Sequence, residues 1–152
     1  MHGSGAQNRE SILPFARFLI RHGIAVLGYD KRGVGGSTGN WNTASFDDLA
    51  DDVVAAFAYL KARGDIDGRQ IGLLGVSQGG WIMPLAAVRA KDIAGGNLDY
   101  TLRILSKANH IHLEAKVGSN AEMASLQRFV PDYVPTIQDW LAKRIRGFRA
   151  PR

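Results

Sequence analysis

Ile71-Gly72-Leu73-Leu74-Gly75-Val76-Ser77-Gln78-Gly79-Gly80 decides the fold. Residues 71–74 are a short apolar run of the length and composition of a buried strand. Gly75-Val76-Ser77-Gln78-Gly79 then spells G-x-S-x-G, and residues 81–89 continue as an amphipathic helix. Strand, glycine-flanked turn and helix in that order predict a sharp elbow that lifts the Ser77 hydroxyl above the sheet edge. Small residues at 75 and 79 let strand and helix backbones nearly touch. The positive end of the following helix dipole lies where an oxyanion would form, and the Gln78 N–H is one expected donor. A phosphate-binding turn would call for G-x-x-x-x-G-K-[ST] or G-x-G-x-x-G here, and neither is present.

The 152 residues, 45% of them hydrophobic, suit a single domain, 1–152, around one core. The absence of cysteine excludes disulfides and thiolate metal sites. No apolar run reaches the length of a membrane span, and Met1-His2-Gly3-Ser4-Gly5 lacks the basic start and apolar core of a signal peptide. A cytoplasmic protein without a membrane partner is the expectation. The net charge is +5, with Lys143, Arg144, Arg146, Arg149 and Arg152 near the end. Only Phe148 is interleaved with them, which suits a solvated tail rather than a nucleic-acid platform.

Taken in order, His2-Gly3-Ser4-Gly5 suits a loop whose backbone N–H groups face an anion, so Ser4 or Gly3 would supply a second oxyanion donor. Residues 11–21 read as a helix with Ile12, Phe15, Ala16, Leu19 and Ile20 on one face, Pro14 in the first turn, a stop at Gly23 and His22 at the surface. Residues 24–29 read as an apolar strand. The glycine-rich run from Asp30 through Lys31 and Arg32 to Gly39 lacks phosphate-motif spacing and reads as structural. Ser45-Phe46-Asp47-Asp48 is a capping box, followed by the stripe Phe46, Leu49, Ala50, Val53, Ala56, Phe57 and Leu60. Asp47, Asp48, Asp51 and Asp52 suit the helix dipole better than a metal site, and no metal is expected. Residues 100–105 alternate as a strand. A polar turn, Ser106-Lys107-Ala108-Asn109-His110, follows at the end where a general base belongs if the sheet is parallel; His112 competes for the role. Residues 131–146 form the last helix, with Pro131 at its start and Pro135 as a point of kinking.

A serine hydroxyl is a poor nucleophile at neutral pH, so an elbow serine needs a base that takes its proton and returns it to the leaving group. Ser77 before His110 fits the chain order serine, acid, histidine. Acyl transfer to water by this route needs no metal or organic cofactor.

His2-Gly3-Ser4-Gly5, the run from Gly28 to Ser37, the run from Gly75 to Gly80 and Ala108-Asn109-His110 together resemble the bacterial α/β-hydrolase superfamily, close to its serine esterases and its dienelactone-hydrolase-like or prolyl-oligopeptidase-like members. The resemblance implies Ser77 as nucleophile, His110 as base, and the backbone N–H groups of Ser4 and Gln78 as oxyanion donors, acting on a small ester. In the family a strand precedes the H-G loop, and two further strands and usually a cap lie between the elbow helix and the histidine strand. Here that middle reads as excised near Ala94-Gly95. The segments 24–29, 71–74 and 100–105 are then non-adjacent, and two missing strands leave a gap of roughly 14 Å. The expected fold is therefore a reduced α/β-hydrolase-type parallel sheet flanked by helices and completed by a homodimer or higher homo-oligomer. The acid stays open among Asp30, Glu114, Asp132, a residue of a partner chain, or none; Asp92 and Asp99 fall at the wrong end of the sheet. The other function compatible with these gaps is a catalytically inactive, truncated hydrolase that serves as an oligomeric binding or structural protein.

Overall fold

The computed structural model describes residues 1–90, 104–117 and 120–148. Residues 100–103 of the third expected strand, Ala94-Gly95, Asp92, Asp99, Arg149 and Arg152 lie outside the described residues. The chain divides into two compact units, Met1–Leu98 and Asp99–Arg152.

In the first unit, Asn8 caps a short 3-10 turn, Arg9–Ile12, by accepting the Glu10 N–H on its side chain. The turn runs into α1, Leu13–Arg21, with Pro14 in the first turn, where its missing N–H has no helical partner to lose. Gly23, at φ +78°, ends α1 as expected. Its N–H donates to Ile20 O at 3.0 Å and the Ile24 N–H donates to Leu19 O at 3.1 Å, the paired bonds of a Schellman stop. His22 departs from the sequence expectation. It is buried, its Nδ1 bonds the Phe18 carbonyl at 2.7 Å, and its ring lies against Phe18. The backbone turning away at Gly23 folds the imidazole back over the last turn. On the expected apolar face Ala16 is buried, whereas Ile20 remains 60% exposed.

Helix α2, Phe46–Lys61, begins on the capping box foreseen at Ser45 and Asp48, with both reciprocal bonds made. Leu49, Ala50, Val53 and Phe57 are its buried stripe. Helix α3, Gln78–Arg89, lies across it, and Leu49, Ala50 and Val53 pack with Ile82 and Ala86 into the core. Arg89, in the last turn of α3, holds Asp47 and Asp51 at 2.5 Å each. Arg32 holds Asp52 at 2.9 Å and reaches Asp48. The four carboxylates of the first turns are thus paired with arginines.

The parallel sheet expected from 24–29 and 71–74 is not present among the described residues, which contain only isolated bridges. A strand needs a neighbour on its hydrogen-bonding edge, and these two segments, non-adjacent in the order the resemblance implies, find none in each other. Leu73 and Leu74 are accordingly 37% and 45% exposed rather than buried. One rung does form. Met1 N donates to Leu74 O, and Val76 N–H donates to Met1 O at 3.2 Å. Bonding to the carbonyl before a residue and from the amide after it is the pattern of parallel pairing, here of Met1 with Gly75.

In the second unit, an antiparallel bridge between Ala108 and Glu114 closes a tight loop, and a second joins Leu113 to Phe129. A 3-10 turn, Asn120–Ser125, follows the loop; its Glu122 carboxylate accepts the N–H groups of Lys116 and Val117. Helix α4, Tyr133–Ala142, comes next. Pro135 is its third residue and needs no kink, because N–H groups in the first turn lack helical partners. No helix among the described residues is long and apolar enough to cross a membrane.

Candidate active site

The site is built around the bend between residue 75 and α3. Ser77 has φ 55° and ψ −118°, a conformation that L-residues with a side chain rarely adopt. It is held there by the turn around it: Gly79 N–H donates to Val76 O at 2.9 Å and Gly80 N–H to Ser77 O at 2.8 Å. Neither flanking glycine has room for a side chain. A β-carbon on Gly75 would meet the Gly79 backbone and Met83 Cγ, the latter at 2.6 Å; one on Gly79 would meet Met1 O at 2.6 Å and His2 O at 2.8 Å. The predicted close approach of backbones is therefore present, and the carbonyls at Met1 and His2 form its third side. Gln78 is the first residue of α3, so its N–H stands at the open, positive end of the helix.

The H-G-S-G loop runs beside this bend. A β-carbon on Gly3 would lie 3.5 Å from Ser77 Cβ. The Gly3 N–H donates to Gln7 Oε1 at 2.9 Å, which withdraws it as an oxyanion donor and leaves Ser4 of the two expected. Ser4 is exposed and Ser77 half-buried. His2 is buried, edge-on to Tyr29 with ring centroids 5.5 Å apart. Burial above all lowers its pKa, with the Lys31 charge adding and Asp30 opposing.

Two residues of the site carry no obvious signal in the sequence. Lys31 is 1% exposed. Its ammonium donates to Gly3 O at 3.0 Å, Gly5 O at 3.3 Å and Gln78 Oε1 at 2.7 Å, and lies 5.8 Å from the centre of the Trp41 ring. Burial lowers its pKa. Gln7 fixes Gly3 by its side chain and accepts the Lys31 N–H on its carbonyl at 3.2 Å. The hint was three consecutive charges directly after an apolar segment, a place where a polar head can be drawn inside only if partners converge on it.

Asp30, a candidate acid, is committed elsewhere. Its two oxygens accept from Arg9 N, Nε and Nη2 at 2.8, 3.0 and 2.6 Å and from Gly36 N at 3.0 Å. The Arg9 guanidinium, with these amides, holds its carboxyl well below the usual range. Ser77, Gln78 and Ser4 thus share the first unit.

His110, the expected base, belongs to the second unit. It is exposed in the loop closed by Ala108 and Glu114, which Asn109 braces by accepting the N–H groups of Ile111 and Leu113 on Oδ1 at 3.0 and 2.9 Å. The His112 ring stacks on Tyr133 at 4.5 Å and 16°, and burial lowers its pKa, with His110 adding. Glu114 is exposed at the loop's base, and Asp132 precedes α4.

Over residues 1–144 the chain matches the family described as serine aminopeptidase, S33. It is 39% identical over 49 residues to the bifunctional esterase/perhydrolase DCH of Acinetobacter calcoaceticus, a stretch that covers 32% of this chain and 18% of that relative. The chain thus matches less than a fifth of the relative's length. No solved structure matches it. With the family match spanning nearly all the chain, including the bend at Ser77 and the loop at His110, the chain belongs to the S33 serine aminopeptidase family of the α/β-hydrolase superfamily.

Proposed function

We propose that the protein is a serine hydrolase that cleaves small carboxylic esters. The observation that carries this reading is the backbone of Ser77, at φ 55° in the bend that leads into α3 and beside the Gly3 loop. Strain at a serine in front of a helix is a feature that packing alone does not require. The esterase relative, matched over 49 residues, favours an ester over the amide that the family's description suggests.

In the proposed reaction His110 takes the Ser77 proton while Oγ bonds the ester carbonyl carbon. The Ser4 and Gln78 N–H groups hold the oxyanion that results. Collapse breaks the bond to the alcohol oxygen, which leaves with the proton from His110. Water then repeats the sequence on the acyl-enzyme, and the acid is released. With Asp30 occupied by Arg9 and Gly36, the acid that would orient His110 is Glu114, Asp132 or a residue of a partner chain, or the pair works without one. We further propose that a second copy completes the fold. The segments 24–29 and 71–74 form no ladder with each other, and Trp81, Leu85 and Val88 are exposed along α3.

A fluorophosphonate probe and short-chain p-nitrophenyl esters test the reading, with an aminoacyl p-nitroanilide as the amide counterpart. Wild type is expected to label and to turn over ester; Ser77→Ala and His110→Ala are expected to do neither. Ester hydrolysis unchanged in Ser77→Ala removes the assignment. Folded wild type that neither labels nor turns over favours an inactive oligomeric binding protein, for which the same exposed stripe on α3 is the supporting observation. A monodisperse monomer in light scattering at micromolar concentration removes the second copy.

A further inference from the structure

We propose that Lys31 is the positioning residue of the oxyanion site: one buried ammonium fixes the Gly3–Ser4 peptide through its carbonyl and ties it to the side chain of Gln78, the residue that carries the other N–H that would receive the negative charge. This rests on the serine-hydrolase reading for its catalytic meaning, and on the hydrogen bonds alone for its structural part.

The peptide between Gly3 and Ser4 is planar and trans, so its C=O and N–H point in opposite directions. Lys31 Nζ donates to the Gly3 oxygen at 3.0 Å. That bond fixes the plane and turns the Ser4 N–H away from Lys31. A charged donor on the carbonyl also polarises the amide, which makes its N–H a stronger donor. The bond to Gly5 O at 3.3 Å pins the other end of the same loop. The third, to Gln78 Oε1 at 2.7 Å, ties the loop to the first residue of α3, whose N–H is the other donor.

The three acceptors are all neutral, so among the described residues no carboxylate bonds the buried charge. A purely structural crosslink would not require that arrangement, whereas a site where negative charge develops is served by it. The lysine itself is held from both sides: its neighbour Asp30 is bound by Arg9, and its neighbour Arg32 by Asp52.

The chain has no cysteine, so Lys31→Cys introduces a single thiol. Alkylating it with 2-bromoethylamine in the unfolded chain, then refolding, rebuilds a side chain of lysine length ending in an ammonium. Fluorophosphonate labelling and ester turnover are measured for wild type, Lys31→Met, and Lys31→Cys before and after alkylation. Expected is labelling on the order of 10²-fold slower in Lys31→Met and unmodified Lys31→Cys, with kcat reduced and KM little changed, and recovery of most of the rate on aminoethylation. Wild-type labelling in Lys31→Met overturns the proposal, as does slow labelling that aminoethylation fails to restore in a chain with wild-type circular dichroism. If the Lys31 variants do not fold, Gln78→Leu removes one arm only; several-fold slower labelling supports the clamp and an unchanged rate overturns it. If wild type itself does not label, the hydrolase reading falls separately. Amide hydrogen exchange at residues 3–5 and 78 then decides: faster exchange in the variants supports the clamp, and unchanged exchange overturns it.

Discussion

Gly75 and Gly79 are packed backbone to backbone: a β-carbon on the first would lie 2.5 Å from the carbonyl carbon of the second. The neighbouring Gly80 has open space at the same position. Substituting alanine should therefore have opposite effects within five residues. Gly75→Ala and Gly79→Ala are expected to destabilise by about 1–3 kcal/mol through overpacking against backbone that cannot step aside. Gly80→Ala, inside α3, is expected to stabilise by about 0.4–1 kcal/mol. Denaturant melts of the three variants check the sign at each position.

The start of α2 depends on two short side chains. Ser45 accepts the Asp48 N–H at 3.1 Å and Asp48 accepts the Ser45 N–H at 2.8 Å. Ser45→Ala is expected to lose about 1 kcal/mol, and Ser45→Asn, which keeps an acceptor, to recover most of it. Thermal melts of the pair measure this.

That cap was legible because its parts are three residues apart, and the stop at Gly23 and the approach of Gly75 to Gly79 likewise join residues no more than five apart. Local chemistry dictates such features before any tertiary contact forms. Lys31 was not legible, because its acceptors are 26, 28 and 47 residues away and the run of three charges around it hints at burial without naming them. His22 was misplaced at the surface for a related reason: whether a helix-ending imidazole turns outward or back over Phe18 depends on the path the chain takes after Gly23. The apolar runs at 24–29 and 71–74 have strand composition, yet a strand is defined by its neighbours, and composition does not name them.

Asp30 should shape the acid limb of stability. Its bonds to Arg9, with those from the Arg9 and Gly36 amides, lower its pKa in the folded chain. A carboxyl depressed on folding stabilises above its unfolded value of about 3.9, and that contribution is lost as pH falls through the folded value. Asp30→Asn is expected to melt below wild type at neutral pH, with the gap closing below about pH 4. Melts from pH 7 to pH 2 test this; a gap that stays constant with pH would show that the carboxylate charge is irrelevant.

His2 should act over a different window. Its pKa is lowered, chiefly by burial. As pH falls below about 6.5 the unfolded chain takes up the proton first, so folded stability declines from there down through the lowered value. His2→Phe keeps an aromatic ring against Tyr29 and removes the titration. Its melting temperature is expected to fall less than that of wild type between pH 7 and pH 5.

Asp30, Lys31 and Arg32 are consecutive, and each is anchored in a different direction: to Arg9, to the bend at Gln78, and to Asp52 on α2. The stretch is a three-way joint. Load applied to the helix reaches the serine turn across a single peptide link, so stiffness at one arm is inherited by the other two. A lesion as remote as Asp52 is in mechanical terms a lesion next door.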